Sequence, residues 1–289
     1  MRITGTGIWS AGLRYGDPGE SSEAAAELEE LGYTALWVPD VGGDLFGAIE
    51  RLLRATKTAI AASGILNLWM HSADESAAFH ARMIEEHGDR FLVGIGVSHQ
   101  LLIDSKEPGL YRKPLSAMAA YLDGLDSAAI PLDSDHRVLA ALGPKMLELA
   151  GDRAAGAHPY NVTPEHTAIA RRAVGPAKLV LPEHAVALTT DAETARRLGR
   201  QHLQTYMGLP NYTNNLRRLG FSDDDFADGG NNRLIDAIVA WGDEDAIARR
   251  ISEHRDAGAD HVCVQVLSDH GLLPREEWRA LAPALTEIW

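Results

Sequence analysis

Cysteine and basic residues are scarce in this sequence. Cys263 is the only cysteine among 289 residues, which excludes a disulfide within the chain. It lies in the alternating stretch HVCVQV, a pattern typical of a buried strand rather than of a nucleophile. The 27 Lys and Arg stand against 41 Asp and Glu, a net charge of −14. This balance argues against a nucleic-acid-binding protein, because such proteins present a basic face to the phosphates.

Long apolar runs are also missing. No stretch approaches the length of a membrane span, and the opening MRITGTGIWS leads into a strand-like run without the features of a signal peptide. The sequence therefore predicts a cytoplasmic protein with no membrane partner. No histidines or carboxylates have metal-ligand spacing, and GxSxG does not occur. We expect neither a metal site nor an α/β-hydrolase.

Short apolar runs of strand length alternate with helical patterns along the whole chain. This alternation indicates a parallel sheet, and eight units at this length favour a closed (β/α)8 TIM barrel, with residues 1–289 as one domain. An open doubly wound sheet is the alternative. The predicted strands are 3–9, 35–38, 58–66, 91–95, 137–142, 156–158, 178–187 and 260–266.

Residues 209–241 break the alternation. The segment is polar and about thirty residues longer than a short βα loop requires. We predict an excursion inserted before the last strand, helical in part and lying over the mouth of the barrel.

Binding groups in such a barrel lie at the carboxyl ends of the strands. The stretches GIGVSH (94–99) and ALGPKM (141–146) place glycine there, which lets backbone amides approach an anion, although tight turns would also explain the glycines. Asp40 directly follows an apolar strand and is either an acid/base group or a turn residue. His99 and His158 are candidate acids or phosphate donors, although a lone strand-end histidine is more often structural.

Tryptophans lie on or just after each of the first three predicted strands. Trp9, Trp37 and Trp69 bring aromatic surface toward one side of the barrel mouth. Such rings can stack on a flat ligand, although aromatic residues in strands more often belong to the core.

Six phrases in their order and spacing cover nearly the whole chain: ELGYTALWVPD, ASGILNLW, RFLVGIGVSH, YRKPLSAMAAYLD, LAALGPKMLELAGDRAAGAHPYNVTPEH and LPNYTNNLRRLGF. With these phrases the sequence resembles the luciferase-like (LLM class) family of TIM-barrel oxidoreductases that use FMN or the deazaflavin coenzyme F420. It looks most like the actinobacterial F420-dependent branch.

The resemblance implies a set of site residues. The segment 63–65 would form a bulge, often with a non-prolyl cis peptide, behind the cofactor ring. Asp40 would face the reactive edge of that ring, and Trp9 and Trp69 would be walls of the substrate site. Two loops would hold the phosphate portion of the cofactor. The implied cofactor-binding residues are Asp40, Gly64, Ile65, Gly96, Val97, Ser98, His99, Ala141, Leu142 and Gly143.

The sequence departs from the family where Val41 stands, since several F420-dependent members carry a histidine there. The glutamate that some members have after the strand-four glycines is also replaced, with His99 or Gln100 nearby. Proton transfer is therefore expected from Asp40 first and His158 second. Lys145 and residues 112–113 are candidate cations for the F420 tail.

We therefore expect an F420-dependent oxidoreductase that transfers a hydride between F420 and a small organic substrate. The resemblance also implies a homodimer. One alternative is an FMN-dependent monooxygenase that needs a separate reductase. Another is a flavin-binding barrel without catalytic activity.

Overall fold

The structure is a computed structural model that describes residues 1–289, with the side chain of residue 106 left out of the description. The described residues form one 11-stranded sheet in which every paired neighbour is parallel. The strands are β1 Gly5–Trp9, β2 Ala35–Val38, β3 Ile60–Ser63, β4 Leu66–Asn67, β5 Phe91–Gly96, β6 Arg137–Leu139, β7 Gly156–Ala157, β8 Leu179–Val180, β9 Glu183–Leu188, β10 Val239–Gly242 and β11 His261–Val266.

The sheet closes on itself through β8 and β9. These two strands belong to one extended stretch, separated only by Leu181 and Pro182. The Leu181 N–H donates to the carbonyl of Ala157 at 2.9 Å, while the Cys263 N–H donates to the carbonyl of Pro182 at 3.0 Å. One stretch of chain thus bonds to β7 on one side and to β11 on the other. The predicted TIM barrel is confirmed, and the open sheet is wrong.

Helices surround the barrel. Their starts follow ordinary capping chemistry: Ser72 accepts a hydrogen bond from the Glu75 N–H before the fourth helix, and Gly88 at φ 74° ends it. None of the described helices has the length and apolar character to cross a bilayer. The helices are α1 Gly12–Tyr15, α2 Pro18–Glu30, α3 Leu45–Ala55, α4 Ala73–His87, α5 Gln100–Lys106, α6 Pro114–Ser127, α7 Pro144–Arg153, α8 Pro164–Val174, α9 Ala192–Leu203, α10 Pro210–Arg218, α11 Asp223–Phe226, α12 Asn232–Ile238, α13 Glu244–Asp256 and α14 Arg275–Thr286, with 3₁₀ turns at Ser134–His136, Tyr206–Gly208 and Ala227–Gly229.

The strands are buried on both faces, as a parallel barrel requires. Trp37, Leu92 and Cys263 pack together in one apolar cluster, and a second, larger cluster joins the sheet to the helices. Cys263 is 0% exposed, so the prediction of a buried strand thiol is confirmed.

Several predicted boundaries are wrong. The predicted strand 58–66 divides into β3 and β4 at Gly64–Ile65, where the peptide bond is cis and the strand bulges. The predicted strand 178–187 also divides, into β8 and β9, because Pro182 has no N–H to donate to a neighbouring strand. The predicted strand 137–142 ends at Leu139.

The segment 209–241 is helical in part, with α10, α11 and α12, and it ends in a strand that the sequence did not predict. This strand, β10, pairs with β9 from Val239↔Ala185 to Gly242↔Leu188. Four residues directly after a helix are too short a run for a periodic signal. They pair because β9 contacts β11 along one edge only, which leaves its other edge for β10.

Candidate active site

A cavity of about 480 Å³ lies at the carboxyl ends of the barrel strands. Its lining contains every site residue implied by the resemblance except Trp69. That tryptophan lies behind the first glycine loop, where its indole N–H donates to the carbonyl of Val97 at 2.8 Å. The lining residues beyond those expected include Tyr15, Tyr111, Tyr160, Tyr206, Asn211, Tyr212, Asn214 and Arg218.

Asp40 is held as a buried carboxylate. Its Oδ1 lies 3.3 Å from Nη2 of Arg14, and its Oδ2 lies 3.0 Å from Nε2 of His71. Oδ2 also accepts the backbone N–H of Asn67 at 3.1 Å. Burial alone would raise the pKa of Asp40, but the hydrogen bonds from His71 and Asn67 and the nearby positive charge outweigh it and lower the pKa. The group therefore remains ionised, with both oxygens engaged.

The partners of Asp40 were not found from the sequence. Arg14 comes from α1 and also donates to the carbonyl of Gly42 at 2.8 Å. His71 follows β4 and packs against Phe46, with ring centroids 4.8 Å apart. No motif connects these positions in the chain. Together they fix the loop that carries Val41, which lines the cavity and is 57% exposed.

The bulge at Gly64 and Ile65 brings three elements into close contact. A Cβ at Gly64 would lie 2.6 Å from Nε1 of Trp9 and 3.3 Å from Nε2 of His158, so only glycine fits. The Trp9 indole N–H donates to the carbonyl of Gly64 at 3.0 Å, and the Ser63 hydroxyl donates to the carbonyl of Gly94 at 2.9 Å. The bulge is thus tied to β1 and β5.

His158 presents an unprotonated nitrogen beside this bulge. Its Nδ1 donates to the carbonyl of Leu181 at 2.7 Å, which fixes the tautomer because a carbonyl only accepts. Trp37 stacks on the imidazole at 4.3 Å. Burial lowers the pKa of His158 to about 4, so the ring is neutral at pH 7. Its Nε2 is buried and, among the described residues, has no hydrogen-bond partner.

The two predicted glycine loops meet in the same cavity. A Cβ at Gly96 would lie 2.6 Å from Cγ1 of Ile65, so this loop packs directly on the bulge. The next residues lead through Ser98, at φ 55°, into α5. The second loop ends at Gly143, the N-cap of α7, with no side chain capping the first turn. Pro144 has no N–H and the Met146 N–H donates to the carbonyl of Gly143 at 3.1 Å, so the Lys145 N–H is the donor of the first turn of α7 that is left for an anion.

Arg218 supplies a positive charge at the end of the cavity near Gly143. It lies at the end of α10, and its Nη2 would be 3.9 Å from a Cβ at Gly143. No described carboxylate lies within ion-pair distance of it. Lys145 and residues 112–113, which the sequence suggested, do not line the cavity. Arg218 was missed because its position depends on how α10 folds back over the barrel.

Another side of the cavity is an aromatic wall made of Trp9, Tyr160, Tyr206 and Tyr212. Ring centroids lie 5.4 Å apart for Trp9 and Tyr160, 5.4 Å for Tyr160 and Tyr206, and 4.9 Å for Tyr206 and Tyr212. The Tyr206 hydroxyl donates to the Tyr160 hydroxyl at 3.1 Å, and Tyr160 donates to Oε1 of Gln265 at 2.7 Å. The three tyrosines come from the loop after β7, from a 3₁₀ turn and from α10, so no local pattern marks them.

A buried acid lies near this wall. The Oε2 of Glu183 accepts the backbone N–H of Asn161 at 3.0 Å, and the side chain is 0% exposed. Burial raises the pKa of Glu183 to about 8, so the carboxyl is mostly neutral at pH 7. The described residues contain no group of three or more histidines, cysteines or carboxylates arranged to hold a metal ion.

Neither a protein-family model nor a curated protein matches this chain. Solved structures do. An F420-dependent secondary alcohol dehydrogenase in complex with an F420–acetone adduct matches with a TM-score of 0.76 at 15% identity, over 99% of each chain. The coenzyme F420-dependent tetrahydromethanopterin reductase of Methanopyrus kandleri matches with a TM-score of 0.69 at 16% identity, over 99% of this chain and 98% of that one.

An FMN enzyme matches as well. The oxygenating constituent of 3,6-diketocamphane monooxygenase from Pseudomonas putida, in complex with FMN, has a TM-score of 0.67 at 13% identity and covers 99% of this chain and 98% of its own. The chain shares the fold of these enzymes. At such low identities the similarity establishes the barrel fold alone. The chemistry has to be inferred from the residues of the cavity.

Proposed function

We propose that this protein is an F420-dependent oxidoreductase that transfers a hydride between the deazaflavin coenzyme F420 and a small organic substrate. The observation that carries the proposal is the composition of the cavity. Near Gly143 it offers an uncapped helix start and the unpaired Arg218, which suit a phosphate group. Along the aromatic wall it offers the apolar faces and edges of four packed rings.

The residues present fit a flavin-like cofactor. A Cβ at Gly143 would meet nothing nearer than Nη2 of Arg218 at 3.9 Å, so the backbone is open there to a cofactor, and Nε2 of His158 is a buried acceptor without a partner among the described residues. We assign the ring to the bulge at Gly64 and Ile65. The phosphate portion is assigned to residues 96–99 and 141–143 together with Arg218. When bound, F420 supplies the hydride chemistry at its C5 atom.

The chain's own contribution is to position groups and to control protons. Both oxygens of Asp40 are engaged and its pKa is lowered, so we assign it a role as a fixed negative charge that orients the loop at Val41. His158 is the better candidate for contact with a proton, because its Nε2 is free of partners. We therefore propose Asp40 as a positioning residue and His158 as the catalytic residue.

Cofactor titration tests the proposal. The purified protein is titrated with F420 and, separately, with FMN, following the absorbance and fluorescence of each cofactor. We expect saturable F420 binding and much weaker FMN binding, followed by reduction or oxidation of bound F420 when organic substrates are screened. Binding of FMN alone would replace this proposal with a monooxygenase that needs a reductase, as the fold shared with the FMN enzyme allows. Binding of neither cofactor would favour a barrel without catalytic activity.

A further inference from the structure

We propose that the aromatic wall receives an uncharged, ring-bearing compound with one hydroxyl or carbonyl oxygen, and that Tyr206 hydrogen-bonds that oxygen. The inference rests on the proposed function, since it assigns this wall of the shared cavity to the substrate.

The wall is an apolar surface of mutually tilted rings, with interplanar angles of 52° for Trp9 and Tyr160, 49° for Tyr160 and Tyr206 and 69° for Tyr206 and Tyr212. Its four rings come from four different elements and contact one another in sequence, from Trp9 at the end of β1 to Tyr212 on α10. Trp9 is 7% exposed and Tyr212 also 7%, so their rings are held by packing. Rigid aromatic surfaces of this kind favour ring compounds through stacking and edge contacts.

The wall carries no charge at physiological pH. Burial raises the pKa of Tyr206 to about 12 and raises those of Tyr160 and Tyr212 well above their ordinary value, so the hydroxyls keep their protons. Of the charged side chains described in the lining, Asp40 is paired with Arg14, and Arg218 lies beside the Gly143 loop. A charged substrate group against this wall would lose hydration without gaining a partner, which disfavours it strongly.

The hydroxyl chain offers one place for a substrate oxygen. Tyr206 uses its proton on Tyr160, and Tyr160 uses its proton on Oε1 of Gln265, so the Tyr206 oxygen is left as an acceptor for a substrate hydroxyl. If the Gln265 amide is flipped, its NH₂ donates to the Tyr160 hydroxyl. The Tyr160 hydroxyl then donates to the Tyr206 hydroxyl. Tyr206 then donates to a carbonyl oxygen. The same chain thus suits an alcohol and its carbonyl counterpart.

Three small probes test this inference by calorimetry or ligand-observed NMR: 4-methylphenol, toluene and 4-methylbenzoate. We expect 4-methylphenol to bind the wild-type protein about five- to tenfold more tightly than toluene, as one hydrogen bond provides. The benzoate should bind most weakly. In Tyr206→Phe the advantage of the phenol over toluene should vanish, while toluene binding shows that the wall is intact. Tyr111→Phe is the matched control, since Tyr111 lines the cavity outside the hydroxyl chain and should keep the preference.

Each contrary result refutes one part of the inference about the wall. Equal binding of phenol and toluene to the wild-type protein, or a preference that survives in Tyr206→Phe, refutes the role of Tyr206. Tightest binding by the benzoate, to the wild-type protein and equally to Arg218→Gln, refutes the uncharged wall. The titrations are made with and without F420. If the probes behave as expected while F420 does not bind, the inference about the wall stands and the proposed function fails.

Discussion

Replacing Arg14 with methionine should destabilise the protein strongly, because it leaves a buried carboxylate without its cation. The side chains of Arg14 and Asp40 are 1% and 0% exposed. Removing one member of a buried ion pair typically costs about 3–5 kcal/mol. Asp40 keeps two partners, the Asn67 N–H and His71, so we expect a loss near the lower end, about 3 kcal/mol. The lost bond from Arg14 to the carbonyl of Gly42 is part of that loss.

Urea unfolding followed by tryptophan fluorescence measures the change, and a double-mutant cycle with Asp40→Asn isolates the pair. We expect a coupling energy of about 2 kcal/mol, since the two groups are in direct contact. Arg82→Met is the matched control: its pair with Glu50 is 47% exposed on the Arg82 side, so it should cost less than about 1 kcal/mol. A loss below about 1 kcal/mol for Arg14→Met, or simple additivity in the cycle, would refute the reasoning.

The pH dependence has a defined sign. The folded-state pKa of Asp40 is lowered, so its contribution is present above the unfolded value of about 3.9 and is lost as pH falls through the folded value. Without Arg14 the folded pKa of Asp40 rises toward the unfolded value, so the acid-induced loss of stability that Asp40 causes should be smaller and should end at a higher pH than in the wild-type protein.

Two further predictions concern the cavity and the outer shell. Arg218→Gln should weaken F420 binding about tenfold at low salt, because a charge-assisted bond to phosphate is lost. Arg217→Gln on the same helix should not weaken it, because Arg217 pairs with Asp223. Equal effects of the two substitutions in fluorescence titrations would contradict the assignment of Arg218. Burial opposes ionisation of Glu29, but the N–H groups of residues 57–59 outweigh it and lower the pKa to about 2. Glu29→Gln should therefore cost about 1 kcal/mol at pH 7 and progressively less below about pH 4, and a difference in urea midpoint that stays constant with pH would refute this.

Local patterns predicted the barrel and much of the cavity. Alternation of apolar runs and helical segments is a property of neighbouring residues, and it places Asp40, His158 and the two glycine loops at strand ends before any contact is known. The structure puts all of these residues around one cavity. The structure also divides the single strand predicted at 58–66 into two strands, at the bulge of Gly64 and Ile65.

Chemistry that depends on distant residues was not predictable. Tyr160 and Gln265 are separated by 105 positions and Arg14 and Asp40 by 26, and neither pair leaves a periodic signal. Arg218 reaches the Gly143 loop only because α10 contributes to the lining of the same cavity. The sequence by itself determined which residues stand at strand ends, because strand and helix periods are set by adjacent side chains. Only the closed barrel decided which of those ends converge, and therefore that the Asp40 carboxylate is paired with Arg14, that His158 keeps a nitrogen without a partner and that the tyrosines form one wall.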